Sequence, residues 1–155
     1  MTNPEITVTI ENPHDVLCIS LLEELTAELS TLYNEDGSFG FTPADVTVPR
    51  SAFVVAWLDD EAVGCGALRP LADDTIGEIK RMYVRPAARG RGVSRQILIV
   101  LEALGRKFSY RELWLETGIR QPEAIGLYES AGYVQMRCYG PYASDPVSVC
   151  YHKTL

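Results

Sequence analysis

The sequence VRPAARGRGVSRQI, residues 84–97, joins a strand pattern to a helix pattern through a turn that is rich in arginine and glycine. Backbone N–H groups at the start of a helix have no acceptor inside the helix, and together with the helix dipole they attract anions. Gly90 and Gly92 allow a phosphate to approach the backbone, and the neighbouring arginines can form charge-assisted hydrogen bonds with it. The stretch therefore predicts a phosphate-binding turn.

Two common phosphate-binding motifs do not match this turn. A Walker-type loop requires G-x-x-x-x-G-K-[ST], which is absent, and a dinucleotide fingerprint requires a third glycine where this chain has Arg95. A plain solvated turn is also disfavoured, because several cations at a helix N-terminus oppose the helix dipole unless an anion is bound.

The hydrophobic periodicity predicts one α+β domain over residues 1–155, with the order β-α-α-β-β-β-α-β-α-β-β. Three successive strands joined by short turns indicate antiparallel pairing, and a helical crossover places strand 112–117 parallel to strand 75–84. We expect a mixed, mostly antiparallel sheet flanked by helices. Asn12 is the predicted N-cap of the first helix, with Pro13 at its first position. The predicted strands are 5–10, 51–58, 61–71, 75–84, 112–117, 133–142 and 146–155, and the predicted helices are 12–33, 42–46, 93–108 and 122–132.

The composition, with 46% hydrophobic and 23% charged residues in a chain of 155, is that of an ordinary globular protein. The sequence shows no apolar run of membrane-spanning length and no signal-peptide pattern at its start, so we expect a cytoplasmic protein without a membrane partner. The cysteines lack the spacing of a metal site, so we expect no metal and four buried, reduced thiols. They are Cys18, Cys65, Cys138 and Cys150.

Charge is divided unevenly along a chain whose formal net charge is -7. Residues 1–78 contain 15 acidic and two basic residues, whereas residues 79–155 contain six acidic and 12 basic ones. Six of the 12 lie in residues 80–95, which predicts a polyanionic ligand there and a cationic one for the acidic half. Nucleic acid is disfavoured because the basic cluster is short and the rest of the chain repels phosphates.

Two sequence blocks resemble the GNAT N-acetyltransferase superfamily. Arg89, Gly92 and Ser94 fit R-x-x-G-x-[GA] with serine at the last position, and this motif is similar to the family's acetyl-CoA pyrophosphate loop. The second block, QPEAIGLYESAGY at 121–133, is similar to the family's N-x-x-A-x-x-L-Y-x-x-x-G-[FY] helix, with Gln121 in place of asparagine. The order of elements resembles the family over nearly the whole chain.

The resemblance implies that acetyl-CoA is the co-substrate and that the acetyl group passes directly to a primary amine in a ternary complex. It also implies that the strand before the turn and the turn itself hold the coenzyme. The expected coenzyme-binding residues are Met82, Tyr83, Val84, Arg89, Gly90, Arg91, Gly92, Val93, Ser94 and Arg95. A non-catalytic acyl-CoA-binding or sensor module on the same fold, or a nucleotide-phosphate binder, remains an alternative, because a fold does not fix a function.

An alkyl ammonium has a pKa of about 10.4, so the transfer requires a group that removes a proton. Glu78 is the first candidate base, because several family members carry a glutamate there and strand alternation places it on one face with Met82 and Val84. A bulge would reverse that alternation, and Glu78 could instead be a carboxylate paired across strands. Glu116 is the second candidate or a water-relay partner. The resemblance makes Tyr128 the acid, the alternative being a half-buried core tyrosine.

In the family the acceptor enters beside the first helices and the final strands. Glu35, Asp36 and Asp45 make that region acidic, so we expect a cationic acceptor: a small amine, an aminoglycoside-like molecule or a basic protein terminus. Aromatic residues of the first loop could line the pocket or belong to the core; they are Tyr33, Phe39 and Phe41. The aromatic segment 138–153 is expected to form part of the acceptor site or a homodimer contact.

Overall fold

A seven-stranded sheet forms the centre of the computed structural model, which describes residues 5–155. Its order is β1-β2-β3-β4-β5-β7-β6, and every pair is antiparallel except the parallel pair β4 and β5. This confirms the predicted α+β class, although residues 1–4 of the expected domain lie outside the described residues. The strands are β1 (Ile6–Glu11), β2 (Ala52–Leu58), β3 (Glu61–Pro70), β4 (Ile76–Val84), β5 (Glu112–Gly118), β6 (Val134–Met136) and β7 (Ser148–Thr154).

Three α-helices cover the two faces of the sheet: α1 (Val16–Tyr33), α2 (Val93–Lys107) and α3 (Pro122–Ser130). A hydrophobic core lies on each face of the sheet, and successive residues of β2 contribute to the two cores in turn. Val54 packs in the core with α2 and α3, whereas Phe53 and Val55 pack in the core with α1. Within residues 5–155, no helix combines the length and apolarity needed to cross a bilayer.

The start of α1 differs from the prediction. The N-cap is Asp15 and the helix begins at Val16, so Asn12 and Pro13 lie outside it. The Asn12 side chain accepts a hydrogen bond from the His14 N–H at 2.9 Å, which is a local turn that competes with helix. The short helical turn after Thr42 is confirmed as a 3₁₀ helix, Pro43–Val46.

The last third of the chain corrects two further expectations. The predicted strand 133–142 is reduced to β6, because Gly140 has a φ of +52° and Pro141 has no N–H to donate, and a 3₁₀ turn forms at Gly140–Tyr142 instead. The chain after β6 also brings Cys138 beside Cys150 of β7, and the two form a disulfide with a Cα–Cα distance of 5.1 Å. The expectation of four reduced thiols is therefore wrong for this pair. Cys18 and Cys65 are buried free thiols.

Candidate active site

β4 and β5 separate halfway along their length. Their ladder ends at the pair Ile79 and Leu115, and beyond it lie residues 80–84 of β4 and 116–118 of β5. A cavity of about 980 Å³ opens between these two segments and is bordered by α1, the arginine-glycine turn and α3. Because β4 has no partner strand along this edge, its backbone groups there are available to a ligand.

A bulge in β4 determines which side chains face each half of the cavity. Arg81, with a φ of +56°, and Met82 together lie opposite a single residue of β3. An extra residue reverses the alternation of a strand. Met82 and Val84 therefore pack in the α2 cluster with Ile79, and Glu78, which directly precedes Ile79, faces the α1 side. The predicted shared face of Glu78 with Met82 and Val84 is wrong for this reason.

The turn between β4 and α2 presents a row of unused backbone donors. Gly90 and Gly92 have φ values of +80° and +82°, and α2 begins at Val93. In the described chain, the N–H groups of the six consecutive residues 90–95 have no hydrogen-bond acceptor. Consecutive N–H groups at a helix start form a concave site for an anion, so the turn has the geometry that its sequence predicts.

Two arginines of the turn region are paired with acidic residues of α1. Arg85 Nη2 lies 2.8 Å from a carboxylate oxygen of Glu24, and Arg89 Nη2 lies 2.6 Å from one of Glu28. Arg89 Nε also donates to the carbonyl of Val84 at 2.8 Å. Acidic residues of the first half of the chain thus neutralise two of the arginines, although Arg89, with 46% of its side chain exposed, still lines the cavity.

The other cations of the segment are also only partly available. Arg81 points inward and donates through Nη2 to the carbonyl oxygens of residues 37 and 38, at 3.1 and 2.7 Å. Arg95 donates to the Ser130 hydroxyl of α3 at 2.8 Å, and Arg91 is exposed. The polyanion site suggested by the charge count is therefore formed more by backbone N–H groups than by arginine side chains.

Glu78 is almost fully buried, with 1% of its surface exposed. One carboxylate oxygen accepts from Arg69 Nε at 3.0 Å, and the other accepts from the Tyr139 hydroxyl at 2.6 Å. Burial, followed by the charge of Glu78, raises the pKa of Tyr139 well above its usual range. Glu78 therefore lines the cavity as a paired carboxylate with both oxygens occupied.

Glu116 and Lys80 occupy the ends of the separated strands. The Ser148 hydroxyl donates to one oxygen of Glu116 at 2.6 Å, and within residues 5–155 the other oxygen has no donor. Burial raises the pKa of Glu116, although the charge of Lys80 opposes the shift. Lys80 Nζ donates to the Tyr142 hydroxyl at 2.5 Å, and burial lowers the pKa of this lysine. The pKa values of the Glu116 carboxyl and the Lys80 ammonium group are therefore both shifted toward neutral pH.

Tyr128 of α3 lines the cavity from the opposite face of the sheet. Its ring packs against Tyr133 and Tyr151, with centroids 5.8 and 6.4 Å away, and 4% of the residue is exposed. Burial raises the pKa of Tyr128 above its usual range. The hydroxyl is therefore protonated at neutral pH and can donate a proton or a hydrogen bond into the cavity.

The aromatic residues of the first loop divide between the cavity and the core. Tyr33 and Phe39 line the cavity, and the Tyr33 hydroxyl donates to the Gln121 side chain at 3.0 Å. Phe41 lies beneath the Arg81 guanidinium, 5.6 Å from it, and borders a separate small pocket. Two of the three predicted wall residues therefore reach the cavity.

The acidic residues that suggested a cationic acceptor lie outside the cavity lining. Asp36 accepts from the Ser38 N–H at 2.9 Å, and Asp45 accepts from the Thr42 N–H at 2.9 Å. Glu35 is exposed, and none of the three borders the cavity. The two carboxylates that were predicted as bases, Glu78 and Glu116, do line the cavity.

Sequence reasoning missed Lys80, Tyr142 and Ser148. Their contacts join residues that are 62 and 32 positions apart in the chain, so no local spacing reveals them. The one available signal was the aromatic composition of segment 138–153, which the sequence analysis assigned to either an acceptor site or a dimer contact. Tyr142 and Val147 of that segment line the cavity.

The fold, the separated central strands and the donor-rich turn define a coenzyme-dependent acyltransferase, and the chain belongs to the Acetyltransferase (GNAT) family, whose sequence profile matches residues 18–133. Its relatives include the IAA acetyltransferase of Azospirillum brasilense, which is 34% identical over 152 residues, covering 98% of this chain and 99% of the relative. The chain is thus an acyltransferase enzyme that uses an acyl-CoA donor, and the sensor alternative is not supported.

Solved structures agree with the fold. A Klebsiella pneumoniae protein described as an acyl-CoA N-acyltransferase superposes on this chain with a TM-score of 0.80. The two are 35% identical in sequence, with 97% of each chain covered. A GNAT family acetyltransferase from Elizabethkingia anophelis, solved with acetyl-CoA bound, has a TM-score of 0.70 at 18% identity, with 97% of this chain and 98% of that chain covered.

Proposed function

We propose that the enzyme transfers an acetyl group from acetyl-CoA to the primary amine of a small molecule, by direct transfer in a ternary complex. The observation that carries the proposal is the joining of two sites in one cavity. The row of N–H donors at residues 90–95 lies at one end, and the partly buried Glu116 and Lys80 lie at the other. Tyr128, on α3, lines the same cavity.

The coenzyme end fits a molecule with a diphosphate and a long polar chain. The N–H groups of residues 90–95 would hold the diphosphate, as consecutive donors at a helix start do. The free edge of β4 at Met82, Tyr83 and Val84 would hydrogen-bond the amides of the chain that leads to the sulfur. Acetyl-CoA supplies the activated acetyl group as a thioester.

Glu116 is the better supported proton acceptor of the two carboxylates. A general base needs an available lone pair and a pKa near the working pH. Glu116 keeps one oxygen without a donor in the described residues, and burial raises its pKa. Both oxygens of Glu78 are occupied by Arg69 and Tyr139. We therefore assign the proton transfer from the amine to Glu116 and a positioning role to Glu78, which reverses the order expected from sequence.

Tyr128 is proposed as the acid. Its raised pKa keeps the hydroxyl protonated, and it lines the cavity on the face opposite Glu116. A donor at this position would give its proton to the departing sulfur atom of the coenzyme.

The acceptor is proposed to be a small cationic amine. The acidic loop residues no longer support this, but Glu116 does, because a cavity carboxylate with one oxygen that has no donor among the described residues favours an ammonium group over an anionic one. The name of the Azospirillum brasilense relative makes IAA a further compound to include among the acceptors.

The test is a panel of primary amines and IAA, incubated with acetyl-CoA and followed by mass spectrometry of the acetylated products. We expect cationic amines to react best, with no product in the absence of enzyme. A preference for acidic acceptors would reject the charge argument. A panel that yields no product while calorimetry detects CoA binding would reject the proposed acceptor class and leave the coenzyme site in place.

The same assay separates the two carboxylates. Glu116→Gln should lower kcat by about a hundredfold or more, since positioned acid–base groups contribute about 10²–10⁴. Glu112→Gln, on the same strand but outside the cavity, is the matched control and should behave as the parent protein. If Glu78→Gln abolishes turnover and Glu116→Gln does not, the assignment of the base is wrong.

A further inference from the structure

Residues 138–150 form a segment that is closed at both ends by the Cys138–Cys150 disulfide, and we call it the closed segment. It lies against the acceptor end of the cavity, which Tyr142 and Val147 line directly. Its last three residues, 148–150, belong to β7 and pair with β5, whereas residues 138–147 contain only a short 3₁₀ turn and no strand ladder fixes them to the sheet.

The closed segment supplies hydrogen bonds to three charged side chains that line the cavity: Glu78, Lys80 and Glu116. The Tyr139 hydroxyl donates to Glu78 at 2.6 Å. The Tyr142 hydroxyl accepts from Lys80 at 2.5 Å. The Ser148 hydroxyl donates to Glu116 at 2.6 Å.

For two of these charges the closed segment is the sole side-chain partner within hydrogen-bond distance among residues 5–155. Lys80 has no other hydrogen bond, and Glu116 has none besides that from Ser148. Glu78 differs, because Arg69 also holds it from β3. Ser148 is held in the ladder between β5 and β7, whereas Tyr142 lies in the part of the segment outside any strand. The position of the closed segment therefore affects the position and hydration of Lys80 more than those of Glu116 and Glu78.

The β5 ladder holds residues 148–150 of the segment, but residues 138–147 have fewer contacts besides the disulfide and the two tyrosine hydrogen bonds. The Trp114 ring lies 5.0 Å from that of Tyr139, and the N–H of Ile119 donates to the carbonyl of Val147 at 2.9 Å. A cross-link between the ends of a loop limits the conformations that the loop can adopt. Breaking it would leave a loop of low local stability.

We propose that the Cys138–Cys150 disulfide holds the closed segment, the acceptor wall of the cavity, in its working position. Reduction would then open the acceptor end of the cavity and leave the turn at residues 90–95 intact. This inference rests on the proposed function only in assigning that end to the acceptor. The turn at residues 90–95 makes no hydrogen bond to the closed segment within the described chain, which is why the two ends respond separately.

Reduction is an ordinary thiol–disulfide exchange with a dithiol. A reagent thiolate attacks the Sγ of Cys138, the more exposed of the two residues, and the Cys150 thiolate leaves and takes up a proton. The second reagent thiolate then attacks the mixed disulfide and releases Cys138 as a thiol. The protein disulfide gains two electrons and two protons, and the dithiol is oxidised to its cyclic disulfide.

The experiment measures how fast Lys80 reacts with an acetylating reagent, N-hydroxysuccinimidyl acetate, before and after reduction with dithiothreitol. Peptide mass spectrometry quantifies the product, and the intact mass confirms the gain of two hydrogens. We expect the rate at Lys80 to rise about tenfold when the segment opens locally. Lys107, exposed on α2, is the internal reference and should not change. Reoxidation should restore the slow rate.

Three further measurements separate a local effect from general damage. The Kd of CoA should be the same in the oxidised and reduced protein, and for the acceptor returned by the amine panel KM should rise upon reduction while KM for acetyl-CoA stays constant. Cys138→Ala/Cys150→Ala should reproduce the reduced state without reagent. Cys18→Ala, which removes a buried thiol of the α1 cluster, is the matched control and should not.

An unchanged Lys80 rate in protein whose disulfide is demonstrably reduced would overturn the proposal. So would a parallel loss of CoA binding, because reduction would then change the turn at residues 90–95 as well as the acceptor wall. If the amine panel yields no acceptor, the labelling of Lys80 still decides this inference, and the proposed function fails separately.

Discussion

Replacing Gly92 by alanine changes the turn at residues 90–95. At this position the effect of backbone strain can be measured without a contribution from steric clash. Gly92 is the N-cap of α2 and has φ +82° and ψ 13°, in the left-handed region. A Cβ atom added there would have no heavy atom within 4 Å, so a clash contributes nothing. The cost is therefore that of holding an L-residue in the left-handed region, about 1–2 kcal/mol.

That cost must appear in one of two measurable places. If the turn keeps its shape, the free energy of unfolding falls by about 1–2 kcal/mol. If the turn relaxes, the row of N–H donors is broken and the Kd for CoA rises by about 5–30-fold, the factor that corresponds to the same free energy. Urea denaturation measures the first quantity, and titration calorimetry with CoA measures the second.

Gly126→Ala is the matched control for this experiment. Gly126 lies exposed inside α3 with no positive φ and no atom within 4 Å of an added Cβ. Alanine should therefore stabilise the helix by up to about 1 kcal/mol and leave CoA binding unchanged. The reasoning is refuted if Gly92→Ala alters neither stability nor affinity, or if both substitutions weaken CoA binding equally.

Three other substitutions test the acceptor end. Tyr128→Phe should lower kcat by about a hundredfold or more, the usual contribution of a positioned acid, in steady-state kinetics, whereas Tyr151→Phe, a buried neighbour outside the cavity, should not. Burial raises the pKa of Glu116 in the folded protein above its pKa in the unfolded chain. The free energy of unfolding should therefore fall as the pH rises from the unfolded-state pKa of this carboxyl to its folded-state pKa. In urea denaturation, Glu116→Gln should therefore be more stable than the parent above that window and equal to it below, and the opposite sign would contradict the pKa shift. Cys138→Ser should lower the free energy of unfolding by about 3 kcal/mol relative to the oxidised parent, and an unchanged urea midpoint would show that the disulfide does not stabilise the fold.

The fold was predictable wherever the chain carries local signals. Pro122 at the first position of α3 and the spacing of apolar residues on α2 located both helices, and the crossover through α2 fixed the parallel pairing of β4 with β5. The start of α1 was missed because Asn12 and Asp15 are both good caps. The choice between them depends on the local turn that the Asn12 side chain forms with His14, and the sequence does not display that competition.

The geometry of the turn at residues 90–95 was easier to predict than the opposite end of the cavity. The turn is a continuous stretch, so its N–H donors follow from residues 89–95 alone. The opposite end is assembled from β3, β4, β5 and the closed segment, and its contacts join residues 61 and 62 positions apart. The arginines misled the charge argument for the same reason, because the partners Glu24 and Glu28 lie 61 residues away on α1.

The bulge at Arg81 explains how one strand can serve both halves of the site. If the same sequence formed a regular strand without a bulge, Glu78, Lys80, Met82 and Val84 would share one face, and charged groups would line the same wall as the apolar ones. With the bulge, the two charged residues face the α1 side and the two apolar residues face α2, so the strand presents polar groups on one side and apolar groups on the other. The Arg81 guanidinium fixes the loop after α1 by hydrogen bonds to two carbonyl groups. The same residue that divides the strand therefore also anchors the loop that carries the cavity residue Phe39.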